Sequence, residues 1–166
     1  MYINIYKYKK SFWGKDIEIF NDETKWGYVS WNGLLKTTAI GDLYGKKYQL
    51  SVSSSFPLKF KVMDEAKTEE IANLKFNIWC TKGRLRIKDG SEYQLHSIHH
   101  FTSKYIWKKN GAQVMRINNG FMGGEIESSV TDEEHNALML LTALYINNHI
   151  TATIILTLIV IYLLFE

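Results

Sequence analysis

Residues 137–165 read ALMLLTALYINNHITATIILTLIVIYLLF. From His135 through Phe165 there is no Asp, Glu, Lys or Arg, so of 20 Lys and Arg and 17 Asp and Glu only Glu166 lies beyond this run. A helix that is apolar on every side cannot lie on a water-facing surface. It is either wrapped by protein or immersed in lipid, and the rest of the chain has to supply one of those surroundings.

Immediately before the run, Thr131-Asp132-Glu133-Glu134 is a helix start. A Thr or Asp side chain there caps the free N–H groups, and acids favour the positive end of the helix dipole. Upstream, from Tyr2 to about Ser129, the pattern is that of strands. Tyr2–Tyr6 is rich in β-formers, Asp16–Phe20 alternates before Asn21-Asp22, and Trp26–Trp31 closes on Asn32-Gly33. Tyr48, Leu50 and Val52 share one face, as do Phe60 and Val62, and Leu74, Phe76, Ile78 and Cys80. Arg84–Lys88 turns through Asp89-Gly90 into Glu92–His96, and Lys104–Lys108 turns through Asn110-Gly111 into Gln113–Ile117. Such pairs of short alternating runs, joined by residues that tolerate positive φ, are antiparallel hairpins. Gly120–Gly124 reads as a turn into the helix. A chain that is nearly all strand and then a charge-free helix predicts a mainly β fold. Only a barrel lets a sheet surround that helix on every side.

The stretches FKVMDEAKTEEIANLKF at 60–76, RLRIKDGSEYQLH at 84–96 and KYIWKKNGAQVMRI at 104–117, followed by the uncharged helix, resemble the Tubby-like superfamily. That superfamily includes Tubby C-terminal, LURP-one-related and phospholipid scramblase-like domains. The resemblance implies an antiparallel barrel of about twelve strands around a C-terminal hydrophobic helix, and membrane- or phospholipid-related biology in some relatives. No family calcium or phosphoinositide ligand matches this chain residue by residue, so none is carried over.

A barrel of that kind needs one helix, and this chain has apolar sequence for two. Residues 1–149 form the expected barrel domain, with its central helix at about 132–147 and Leu138, Leu141 and Tyr145 filling the lumen. Asn147-Asn148-His149 interrupts the run. Residues 150–166 then form an apolar tail and a candidate single-pass transmembrane anchor, with the barrel in the cytoplasm. Its 16 positions from Ile150 to Phe165 reach about 24 Å against a hydrocarbon core of about 30 Å, a marginal length. The alternatives are a second helix packed on protein in a cytoplasmic module, and one continuous helix within the barrel.

The length suits one domain, and 14% aromatic content with a single Pro argues for a packed chain rather than a disordered one. The lone Cys80 excludes an internal disulfide and favours a reducing compartment. The first residues, MYINIYKYKKSFW, offer no apolar segment of the kind that directs secretion. Net charge is only +3, but it is unevenly spread: Lys75 to Arg116 holds nine basic residues against Asp89 and Glu92, while Glu125 to Glu134 holds five acids and no base. The basic stretch is either a set of solvated strand faces or a surface for anions. On the second reading Lys82, Arg84, Arg86, Lys88, Lys104, Lys108 and Lys109 are the candidate contacts to anionic phospholipid.

Catalytic signatures are missing. There is no Gly-x-Ser-x-Gly elbow, Walker loop or dinucleotide fingerprint, and GFMGG at 120–124 precedes no phosphate-binding Lys. His96, His99 and His100 are the one metal-like group, but in a strand His99 opposes the other two. No metal or cofactor is expected, and a metal-dependent hydrolase is the least favoured reading. Cys80, on an apolar face, reads as a buried thiol. Trp13, Trp26, Trp31, Trp79 and Trp107 read as core and interface aromatics rather than base-stacking platforms, so no nucleic-acid partner is expected. The function read from sequence is a non-enzymatic, membrane-tethered barrel binding anionic phospholipid or a protein partner.

Overall fold

The computed structural model describes residues 3–165 apart from 12–14, 33–36, 56, 78, 80, 100–103 and 121, and excludes the side chains of 98, 99, 154–156, 158 and 165. Twelve strands precede one helix. They are β1 (Asn4–Lys10), β2 (Asp16–Asn21), β3 (Thr24–Asn32), β4 (Thr38–Leu43), β5 (Lys46–Ser55) and β6 (Leu58–Asp64), then β7 (Glu70–Phe76), β8 (Lys82–Ile87), β9 (Glu92–His99), β10 (Lys104–Lys109), β11 (Ala112–Asn119) and β12 (Gly123–Ser128). Helix α1 runs from Glu133 to Phe165.

Each strand pairs antiparallel with its sequence neighbours, and β12 closes on β1 through Tyr6↔Ile126 to complete the barrel. Closure leaves no open edge and gives every strand one enclosed face. The period-2 pattern expresses this directly. In β8, Arg84 and Arg86 face water while Leu85 and Ile87 are buried, and in β2 Ile17 and Ile19 are fully enclosed. The turn pairs behave as their chemistry dictates: Asn110 and Gly111 take φ of 51° and 83°, and Gly90 takes 91°.

The lumen is filled by α1. Asn136 to Asn148 is buried without a break, and Leu138, Leu141 and Tyr145 are all at 0% exposure. The helix begins where Asp132 Oδ1 accepts the His135 N–H at 2.8 Å, an N-cap. One turn on, the Asn136 amide donates to the Tyr6 and Tyr44 hydroxyls at 3.0 and 2.8 Å and accepts from Ser128 Oγ at 2.7 Å. That amide is the polar plug of an apolar lumen, and losing its partners would leave buried donors and acceptors unpaired. At the far end the Tyr145 hydroxyl donates to the Thr37 carbonyl at 2.6 Å, and the His149 ring packs edge-on to Phe60 at 5.8 Å.

Asn147-Asn148-His149 does not end the helix. The two apolar segments expected on either side of it are joined in one element, and the polar triplet marks the barrel mouth instead. Thr151 and Thr153 beyond it accommodate their hydroxyls by donating to carbonyls four residues back, at 2.7 and 2.9 Å. Outside the mouth Ile159 to Leu164 are 46–75% exposed. Among the described residues no helix is long and apolar enough to cross a membrane, so the expected single-pass anchor over 150–166 has no support as a span.

Three strand readings need correction. The region between Trp31 and Tyr48 contains β4, which small residues Ala39 and Gly41 conceal from a search for β-formers. Strand β7 starts at Glu70 and stops at Phe76 rather than continuing to Cys80, because the Asn77 side-chain oxygen takes the N–H groups of Thr81 and Lys82 at 2.9 and 3.1 Å and turns the chain. Gly123 and Gly124 open β12 rather than a loose turn. A Cβ on Gly123 would lie 2.2 Å from the Tyr8 carbonyl oxygen, and one on Gly124 2.6 Å from the Tyr8 hydroxyl, so only glycine lets β12 close on β1 here.

Candidate functional site

The outer faces of β7, β8 and β9 form a groove of about 440 Å³ bordered by Asn73, Lys75, Asn77, Lys82, Arg84, Arg86, Gln94 and His96. Its floor is sheet, with Phe76 and Gly83 at one end. Strand alternation aims these polar side chains outward while Leu74, Phe76 and Leu85 turn into the lumen.

Register stacks the cations sideways. Lys59 on β6 is opposite Lys75 on β7, Lys75 is opposite Arg84 on β8, and Arg84 is opposite Gln94 on β9, which is opposite Lys108 on β10. Directly opposed residues hold their Cβ atoms about 4.5–5.5 Å apart, and like charges in that relation destabilise a sheet. Glu92 on β9 is shared by two of these cations: Arg84 Nε and Arg86 Nε each reach a different carboxylate oxygen at 3.1 Å. Among the described residues Lys59, Lys75 and Lys82 have no ion-pair partner. Burial, then Lys108 and Lys82, hold the His96 imidazole below its ordinary value, so at neutral pH it is an uncharged donor or acceptor on the groove wall.

The seven candidate contacts divide three ways. Lys82, Arg84 and Arg86 border the groove. Lys108 lies across β9 from it at the level of Gln94, and Lys104 lies at the opposite end of β10. Lys88 and Lys109 are elsewhere. Lys88 pairs with Glu69 at the β8–β9 turn, and the Lys109 ammonium sits over the Tyr93 ring, 5.1 Å from its centre. Lys75, Asn73, Asn77 and Gln94 join the site although sequence did not single them out, and Lys59 flanks it from β6. Lys75 carries a period-2 signal, but its alignment with Lys59 and Arg84 depends on pairing that no single strand contains.

His96 faces the groove, while the His99 side chain and His100 lie outside the described residues. Among the described residues no three His, Cys, Asp or Glu side chains converge. Of the aromatics, Trp31 and Trp107 are core residues, Trp26 packs edge-on to Tyr44 at 5.2 Å, and Trp79 is exposed; Trp13 and Cys80 lie outside the described residues.

The other polar constellation ties α1 to the barrel. The His135 ring nitrogens meet Tyr93 OH and Asp89 Oδ2, each at 2.9 Å. The Asp89 carboxyl is held below the usual range, first by the Ser91 N–H and also by His135. The arrangement fastens the helix start to the β8–β9 turn.

Fold and groove together define a closed up-and-down barrel with a helix-filled lumen and a cationic outer face. No family model, curated protein or solved structure matches the chain.

Proposed function

We propose that this protein is a non-enzymatic barrel of the Tubby-like kind that is tethered to the cytoplasmic face of a membrane and binds anionic phospholipid through the β7–β9 groove. The observation that carries the reading is the cross-strand run Lys59–Lys75–Arg84. Lys59 and Lys75 stand side by side with no ion-pair partner among the described residues, next to an Arg84 that shares Glu92 with Arg86; this row weakens the free protein, and an anionic headgroup is the partner that reverses the sign of that interaction. The groove supplies what a phosphodiester needs: an Arg fork, two ammonium groups, and the amides of Asn73, Asn77 and Gln94. Each Lys or Arg held near an anionic surface adds on the order of 1 kcal/mol of attraction.

The tether is the outer part of α1. Its outer turns carry no charge through Phe165 and are apolar apart from Tyr162 and three Thr whose hydroxyls bond back to the helix, which suits lipid and not water. It enters the bilayer without being required to span it.

Co-sedimentation with vesicles tests both halves. The full chain is expected to bind neutral phosphatidylcholine vesicles through α1 and to bind vesicles containing phosphatidylserine more tightly. The Lys75→Gln/Arg84→Gln protein should lose the second effect and keep the first. Equal binding to both vesicle types by the unaltered protein removes the anionic-lipid reading. A full chain that is monodisperse without detergent and ignores vesicles would instead mean that the outer part of α1 packs on protein.

A further inference from the structure

Every strand ends at one of two rims, and the rims differ in kind. Helix α1 leaves through the rim that carries the connections β1–β2, β3–β4, β5–β6, β7–β8, β9–β10 and β11–β12, as the Tyr145–Thr37 and His149–Phe60 contacts show. Read as sequence, the six stretches joining those strands contain no Asp or Glu, and each contains a Phe, Trp or Leu. The six stretches at the opposite rim hold Asp22, Glu23, Glu65, Glu69, Asp89 and Asp132.

At the exit rim two large apolar side chains are described, and both face water: Trp79 is 73% exposed and Met122 47%. Lys59, Lys75, Lys82 and Lys104 stand at or next to the strand ends of the same rim. An exposed Trp, an exposed Met, an emerging apolar helix and an arc of lysines from β6 to β10 make the composition of a surface that meets the boundary between lipid headgroups and acyl chains. There the indole ring is buried while its N–H stays hydrated.

We propose that the exit rim inserts into a bilayer, with Trp79 and Met122 entering the headgroup–acyl boundary beside α1, so that the barrel stands on the membrane with its acidic rim outermost. This inference rests on the membrane-tethered reading and adds its orientation. Charge selects lipid over a second copy of the chain. The rim set against itself would oppose lysine to lysine, whereas an anionic bilayer attracts this rim and repels the other. The same orientation brings Lys75 and Lys82, at the open end of the groove, to headgroup level.

The test uses the full chain with Cys80→Ser, carrying one environment-sensitive fluorophore on Met122→Cys or, at the acidic rim, on Ala66→Cys. Vesicles are equimolar phosphatidylcholine and phosphatidylserine. The label at 122 is expected to shift its emission to the blue and gain intensity when vesicles are added, while the label at 66 does not change. Trp79→Asp should lower vesicle affinity about tenfold without altering the melting curve. Flotation with vesicles but no shift at 122 overturns the orientation and leaves the tether standing. An equal shift at both positions also overturns the orientation. No flotation overturns the tether and the orientation together. A label at 122 that is already blue-shifted before vesicles are added, in a protein that sediments as a dimer, assigns the rim to a second copy and overturns the proposal.

Discussion

Gly41 on β4 lies against Leu141 of the lumen helix: a Cβ on Gly41 would stand 3.0 Å from Leu141 Cδ1 and 3.1 Å from its Cδ2. Helix α1 therefore approaches this wall of the barrel closely, and Leu141 at 0% exposure has nowhere to retreat. Gly41→Val should destabilise by about 1–3 kcal/mol through overpacking, and Leu141→Ala alone by about 2–5 kcal/mol through a cavity. Because one change fills what the other empties, the double variant should be more stable than additivity allows. Urea melts of the four proteins measure this, and strict additivity would mean that the contact does not exist. Leu141→Asp places an unpaired charge in the lumen and should prevent folding altogether.

Burial along α1 ends at Asn148, and Ile150 still packs on the core. A stop codon after Ile150 should therefore leave a cooperatively melting barrel that no longer binds neutral vesicles. A stop after Thr131 removes the lumen helix and exposes the inner face of every strand, which no barrel of this size withstands. Circular dichroism and vesicle flotation of the two truncations check the contrast. Aggregation of the longer one would show that the outer turns of α1 cover protein.

Lys75→Gln should act in opposite directions on stability and binding. Removing the central charge of the Lys59–Lys75–Arg84 run relieves like-charge opposition, worth about 0.2–1 kcal/mol of added stability in low salt. The same change should weaken affinity for phosphatidylserine vesicles about fivefold, the equivalent of one cation near an anionic surface. Salt should shrink both effects. A variant that loses stability and keeps its affinity contradicts the assignment of this face.

His96 gives the groove a pH dependence whose sign differs between the free and bound states. In the free protein its imidazole is held below the usual value by burial and by Lys108 and Lys82, so the unfolded chain takes up the proton first. Stability is therefore unaffected above about pH 6.5 and falls as pH drops through that range. An anion in the groove favours the imidazolium, so vesicle affinity should rise over the same interval. Phosphatidylglycerol vesicles, whose headgroups do not titrate there, are the suitable probe. NMR titration should show the His96 resonance moving to higher pKa when sulfate is added, and His96→Gln should flatten the affinity profile. An unchanged profile in that variant removes His96 from the site.

The charge-free helix and the period-2 strands were legible in the chain itself, as were the Asp89-Gly90 and Asn110-Gly111 turns, because each is a local consequence of side-chain spacing and backbone freedom. A helix with no water-facing side requires an enclosure, and short antiparallel strands supply one by closing on themselves. Strands β4 and β12 escaped the reading because Gly41, Gly123 and Gly124 look like interruptions until Leu141 and Tyr8 are seen to need the space. The candidate site was half legible. Arg84 and Arg86 stand out as alternating cations, but Lys59, Lys75 and Arg84 become one row only through register, which depends on an irregularity between Val62 and Met63 and on partners far along the chain. A slip of one residue would turn each of those side chains to the other face. The asymmetry of the two rims has the same origin, since a connection's end of the barrel is decided by counting strands and not by anything within the connection. The chain determined what is buried, and the closed sheet determined which surface residues meet.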